Sequence, residues 1–148
     1  MKGFRTWLGT TMQAVKSGQC GPAEGQTHKL RVVMGNTSCD MDSAIGSLAL
    51  AYYYSVLSEG TELWVPVINS SKNDFYVNLE IVQHLADCKI DKDELFYYDQ
   101  FRELCPNADD VEEVALIDHN ILDVAQSDLG PKVTRVLDHH VDSGAYKD

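Results

Sequence analysis

The chain has 148 residues, 44% of them hydrophobic, and sets 12 basic side chains against 23 acidic ones for a formal net charge of −11. That size and apolar content fit one domain with its own core. The acidic balance argues against a nucleic-acid surface, which is normally basic. An anionic substrate stays open if bound cations reverse the local sign.

The N-terminal residues carry no secretory h-region, and no apolar stretch is long enough to span a bilayer. Cys20, Cys39, Cys88 and Cys105 are widely spaced without a CxxC pair. Free thiols in a reducing, cytoplasmic setting, away from the membrane, are therefore expected. Asn36-Thr37-Ser38 and Asn69-Ser70-Ser71 match the glycosylation sequon, read here as chance matches without a secretory route.

In chain order, Phe4, Trp7, Leu8, Met12 and Val15 have the spacing of an amphipathic helix. Ser17 to Lys29, rich in glycine and containing His28, reads as a loop. Leu30 to Met34 reads as a first buried strand. Ser43 to Leu57 reads as a helix apolar on most faces, which predicts deep burial, with Asp42 or Ser43 as its cap. Glu62 to Ile68 is a second strand; Pro66 removes one ladder donor and predicts an edge position or a bulge. Asn69 to Asn73 reads as a polar turn, Phe75 to Leu85 as a helix carrying a structural His84, and Asp91 to Glu94 as a charged turn. Leu95 to Tyr98 reads as a short third strand, and Phe101 to Asp110 as loop or helical turn broken by Pro106. Val114 to Ile117 and Val133 to Leu137 are the fourth and fifth strands, with at most one helical turn at Ile121 to Ala125. Strands alternating with helices predict an α/β fold with a mainly parallel sheet flanked by helices.

Three strands end on carboxylates or imidazoles: Asp40 and Asp42 after the first, Asp118-His119-Asn120 after the fourth, and Asp138-His139-His140 after the fifth. In a parallel sheet all three emerge on one edge, where ligands of open α/β sheets bind. Aspartates and histidines gathered there suit Mg²⁺, Mn²⁺, Co²⁺ or Zn²⁺. Two such ions about 3.5–4 Å apart hold and activate a water for attack on phosphorus. Other residues carry plainer expectations. Tyr52, Tyr53, Tyr54, Tyr97 and Tyr98 read as packing rather than a stacking platform. Cys39 reads as a packed thiol, Asp109 to Glu113 as solvated surface, and Arg135 as an ion-pair partner rather than a phosphate contact.

The run Gly35-Asn36-Thr37-Ser38-Cys39-Asp40-Met41-Asp42-Ser43, followed by Asp118-His119-Asn120 and Asp138-His139-His140, resembles the first three motifs of the DHH phosphoesterase superfamily. The Gly-Asn opening is closest to the exopolyphosphatase and prune branch. The related family II inorganic pyrophosphatases have His where this chain has Asn36, and share the Asp-His-Asn.

The resemblance implies two divalent cations, Mg²⁺ or Mn²⁺ with Co²⁺ also compatible. Their ligands would be Asp40, Asp42, Asp118 as the bridging carboxylate, and His139. His140 would contact substrate phosphate and stabilise developing charge. Asn36, standing where the pyrophosphatases place a metal-binding His, would bind substrate and leave the first cation site weaker or favouring harder, oxygen-preferring ions such as Mg²⁺. His119 would assist catalysis by orienting Asp118 or a phosphate, and Asp138 would orient a neighbouring imidazole or simply end its strand. The expected activity is release of terminal orthophosphate from inorganic polyphosphate. Pyrophosphate or nucleotide phosphodiester hydrolysis, or a non-catalytic prune-like interaction module, are the alternatives.

The expected organisation is an N-terminal helix and loop over 1–28 and part of a DHH catalytic domain over 29–148. Family members add a fourth-motif Asp and a basic C-terminal domain beyond the Asp-His-His. On that resemblance, residues 1–148 alone are expected to bind metal weakly and turn over little.

Overall fold

A computed structural model describes residues 3–18 and 29–146. His28, Cys20 and most of the loop expected over Ser17 to Lys29 lie outside the described residues. The element order is α1 (Phe4–Lys16), β1 (Leu30–Met34), α2 (Met41–Leu57), β2 (Trp64–Val67), α3 (Lys72–Phe75), α4 (Leu79–Asp87), α5 (Tyr98–Leu104), β3 (Val111–Ile117) and β4 (Val133–Leu137). Short 3₁₀ segments lie at Lys92–Glu94, Ala108–Asp110 and Val124–Lys132.

The sheet has four strands in the order β2-β1-β3-β4, and every pairing is parallel. The fold is therefore α/β, as the alternating pattern predicts. Parallel strands covered by crossover helices must be apolar on both faces. The strands obey this at the centre: Val32, Val33, Met34, Val114, Ala115 and Leu116 are fully buried. Pro66 stands opposite Val33 on β2, an edge strand, where a missing N–H faces no ladder partner.

Helix α1 buries Trp7, Leu8, Thr11, Met12 and Val15, the expected i, i+4 stripe. Tyr52 stacks on it, with ring centroids 5.3 Å from Phe4 and 5.2 Å from Trp7. Tyr54 packs 4.6 Å from Trp64. Helix α2 differs from the expectation of all-round burial. It presses a stripe of small residues, Ser43, Ala44, Ser47, Leu48, Ala51 and Ser55, towards the core, while Tyr53 and Leu57 stay exposed. Its cap is Asp40, two positions before Asp42 and three before Ser43, the residues expected: the carboxylate accepts from Ser43 N at 3.3 Å.

Three further expectations are corrected. Leu95 to Tyr98 is not a strand of the sheet. Only an isolated parallel bridge joins Tyr97 to Ile68, and α5 starts at Tyr98, because the Gln100 side chain accepts from the Tyr97 backbone N–H and begins a helix. The single helix expected over Phe75 to Leu85 divides into α3 and α4. Ser71 caps the first, accepting from Asp74 N at 3.1 Å, and the chain turns at Tyr76 to Asn78. His84 is exposed on α4 rather than packed in the core. Arg135 is an ion-pair residue as expected: its Nε lies 2.9 Å from Glu113 Oε1, with the guanidinium stacked over Tyr54.

Candidate metal centre

The carboxyl ends of β1, β3 and β4 share one edge because the strands run the same way. The backbone there leaves ordinary strand geometry twice. Cys39 has φ 49° and Asp118 has φ 63°, both left-handed. Aspartate tolerates that region better than most residues. The turn lets Asp118 continue the ladder, its N–H donating to Leu137 O at 2.9 Å, while its side chain swings towards β1.

Asp118 is the hub, and its side chain is only 5% exposed. A buried carboxylate needs donors, and three reach it. Asn36 Nδ2 donates to Oδ2 at 2.8 Å, Ser43 Oγ donates to Oδ2 at 2.8 Å, and His139 Nε2 lies 3.1 Å from Oδ1. Ser43 was legible in the sequence only as a possible cap. It is instead a keystone: its hydroxyl also accepts from Asn36 N at 2.9 Å. Gly35 makes this approach feasible, since a Cβ there would stand 2.7 Å from both Ser43 Cβ and Ser43 O.

The Asn36 amide is satisfied within the protein. Its Oδ1 accepts from Ser38 Oγ at 2.6 Å and Cys39 N at 3.1 Å, and its Nδ2 holds Asp118. Asp42 sits at the mouth, its Oδ2 3.9 Å from His139 Nε2. Cys39 is buried beside Asp40, and its thiol is pushed up to about 12, first by burial and then by the Asp40 charge. It behaves as a packed thiol.

A second layer surrounds Asp138, whose side chain is also 5% exposed. His140 Nδ1 lies 2.7 Å from Oδ1, and His139 N donates to the same oxygen at 2.9 Å. Asn120 Nδ2 donates to Oδ2 and to Val141 O, while Asn120 Oδ1 accepts from Ser143 N at 2.9 Å. Burial works to raise the Asp138 carboxyl, but the hydrogen bonds from His140 and Asn120 outweigh it and hold the carboxyl below its ordinary range. The same hydrogen bond, accepted by Asp138, raises the His140 imidazole above its usual value. Asp138 therefore does more than end a strand: it fixes one face of the His140 ring and leaves Nε2 free. Asn120, which the sequence shows only as the third residue of Asp118-His119-Asn120, is the clamp on Asp138.

His119 stands apart. Its Nδ1 bonds to the Ile117 carbonyl at 3.0 Å, and its Nε2 is buried without a hydrogen-bond partner. Burial, the largest influence, keeps the ring below its ordinary value.

Two groups of donor atoms lie within 4.8 Å of one another: Asp118, Asp138, His139 and His140, and Asp40, Asp42 and Asp118. Asp118 belongs to both. Two ligands each about 2.1 Å from one octahedral cation and at right angles lie about 3.0 Å apart. The 3.1 Å separation of His139 Nε2 and Asp118 Oδ1 fits that requirement. The donor set, carboxylates with imidazole, suits divalent cations of the Mg²⁺ to Zn²⁺ range.

The fold and the site define a class: a parallel α/β domain with carboxylates and imidazoles gathered at the strand ends for divalent cations. No family model matches the chain. Over 120 residues, 81% of its length, it is 32% identical to exopolyphosphatase PRUNE1 of Mus musculus and of Homo sapiens. It is 28% identical over 113 residues to a putative exopolyphosphatase of Schizosaccharomyces pombe. The chain spans 26% of the length of the PRUNE1 relatives and 29% of the yeast one. This similarity supports the exopolyphosphatase and prune branch that the three motifs resemble.

Proposed function

We propose that this chain supplies the cation-binding strand ends of a metal-dependent exopolyphosphatase, which releases terminal orthophosphate from inorganic polyphosphate. The observation that carries the reading is Asp118. It is a buried carboxylate shared by both donor groups, with donors on one oxygen and His139 on the other. Bound there, divalent cations would screen phosphate charge and make water acidic enough to attack phosphorus at neutral pH.

The chain's own residues do the rest. Asp40 and Asp42 would hold the first and second cations, Asp118 would bridge them, and His139 would complete the second site. Asn36 and Ser43 aim Asp118 by fixing Oδ2, so Oδ1 is the oxygen that would be left to hold a cation. Asn36 acts on substrate only through that carboxylate, since its amide has no free donor or acceptor to offer a phosphate. His140, held by Asp138 with Nε2 outward, would donate to the phosphate oxygen on which charge builds. His119 orients the Asp118 turn through its bond to Ile117 O. Two domain units, 1–28 and 29–148, complete the reading, and a protein confined to the aqueous cytoplasm is in keeping with it. Among the described residues no helix is long and apolar enough to cross a membrane.

Colorimetric phosphate release by the full-length protein, with Mg²⁺ or Mn²⁺, tests the proposal. Release from polyphosphate should disappear in Asp118→Asn. Preference for pyrophosphate or a short oligonucleotide in competition would move the substrate assignment within the superfamily. No release from any of these, with no Asp118-dependent Mn²⁺ binding, would leave only a scaffold role.

A further inference from the structure

The first-motif loop is held from behind by two side chains that belong to none of the three motifs. Asn69 follows β2 and is buried; its Nδ2 donates to the Gly35 carbonyl at 2.7 Å. Gly35 O is the last β1-side acceptor before the loop begins. The Asn69 backbone N–H also works to lower the Cys39 thiol against burial and the Asp40 charge, so the same residue bears on the segment that turns through the left-handed Cys39. Gln126, buried in the 3₁₀ segment before β4, donates from Nε2 to Asn69 Oδ1 at 2.7 Å. That bond fixes which way the Asn69 amide points: with Oδ1 taken by Gln126, Nδ2 must face Gly35.

We infer that Asn69 and Gln126 are positioning residues, a buried amide relay that sets the 35–43 loop in the shape that brings Asp40, Asp42 and Ser43 to Asp118. The inference rests on the cation-site reading above. Its physical basis is independent of any ion. The loop is strained at Cys39, and a strained turn persists only where its surroundings over-determine it. Buried amide chains of this kind are cooperative and costly to break in part. The relay also ties the β2 and β4 sides of the sheet to the β1 loop. Lateral motion of either side would therefore be felt at the ligands.

The test uses the full-length protein, with three readouts on Asn69→Ala and the gentler Gln126→Met. These are Mn²⁺ affinity by calorimetry, amide hydrogen exchange along the chain, and thermal unfolding. Removing a partner that orients ligands typically costs about 10–100-fold in metal affinity. Asn69→Ala should weaken Mn²⁺ binding by about tenfold and speed exchange at Cys39 and Ser43, while Val114 to Leu116 in β3 keep wild-type protection. Gln126→Met should move both readouts the same way by less, and it remains informative if Asn69→Ala does not fold. A lower melting temperature with unchanged Mn²⁺ affinity would overturn the inference and leave a structural role only. Unchanged exchange at Cys39 and Ser43 would overturn it whatever the metal result. A wild-type full-length protein that binds no Mn²⁺ would instead sink the cation-site reading itself.

Discussion

Gly35→Ala is the sharpest probe of how the site is assembled. Gly35 shows no left-handed φ, so alanine is free to adopt its backbone, and the unfolded chain would lose entropy worth about 0.4–1 kcal/mol in favour of folding. Space is the obstacle. The new methyl would lie 2.7 Å from Ser43 Cβ, 2.7 Å from Ser43 O and 2.9 Å from Ser43 C. Carbon atoms rest at about 3.5–4.0 Å, and the backbone of a helix's first turn cannot rotate aside as a side chain can. Overpacking of this kind costs about 1–3 kcal/mol. Pushing Ser43 away also breaks its bonds to Asp118 and Asn36 N, at about 1 kcal/mol or more each for buried groups. The net expectation is a loss of roughly 2–4 kcal/mol, a drop in melting temperature of about 5–15 °C for a chain of this size. Gly9→Ala is the control: it sits within α1 with nothing inside 4 Å, and should gain about 0.5–1 kcal/mol from helix propensity. Urea unfolding of both variants decides the matter. Gly35→Ala within about 0.5 kcal/mol of wild type, the range of an ordinary surface change, would refute the close-approach argument.

Further outcomes follow from the same geometry. Ser43→Ala should cost about 1–3 kcal/mol, because it strips a donor from buried Asp118 and an acceptor from Asn36 N. Ser47→Ala should be nearly neutral, since that buried hydroxyl only returns to Ala44 O within its own helix; equal losses in urea unfolding would contradict the distinction. His119 is held below its ordinary value of 6.5, chiefly by burial. The unfolded chain therefore binds a proton that the folded one resists, and stability falls as pH drops below that value towards the folded one. His140 is raised and contributes with the opposite sign, its stabilisation being lost as pH rises through its folded value. His119→Phe should flatten the acid-side loss between neutral pH and the onset of carboxylate titration, and an unaltered slope would rule out the buried neutral imidazole. The Cys39 and Cys105 thiols, both pushed up to about 12 chiefly by burial, should resist alkylation at pH 8 while exposed Cys88 reacts. Rapid native-state labelling of Cys39, read by mass spectrometry, would contradict its packing.

What the sequence revealed and what it hid divide along a physical line. β1 and β4 were readable to the residue, because short β-branched runs that end on polar clusters leave little choice. The edge position of β2 was readable from Pro66, through one missing donor. Leu95 to Tyr98 misled because aromatic residues favour strands, yet the local bond between Tyr97 N and Gln100 Oε1 starts a helix there. The gathering of Asp40, Asp42, Asp118 and His139 was legible because a parallel sheet sends like ends to one edge. The bonds that hold them were not. Ser43, Asn69, Asn120 and Gln126 are ordinary polar residues at spacings that suggest caps or turns, and their partners lie 18 to 75 positions away.

The two left-handed residues tie these observations together. Non-glycine residues at positive φ cost about 1–3 kcal/mol each, and both Cys39 and Asp118 are buried at strand ends. Neither position would be chosen for stability alone. At Asp118 the turn directs a carboxylate into the reach of β1 and β4; an extended residue there would stand it off one face of the sheet. At Cys39 the turn lets α2 start with Asp40 and Asp42 facing that carboxylate. One side chain of the β1 loop serves both strained residues: Asn36 accepts from Cys39 N within its own loop and donates to Asp118 across the sheet edge. The turn that presents Asp40 and Asp42 and the turn that presents Asp118 are thus tied together, which is what a site needs if several like charges are to stay close before any cation arrives.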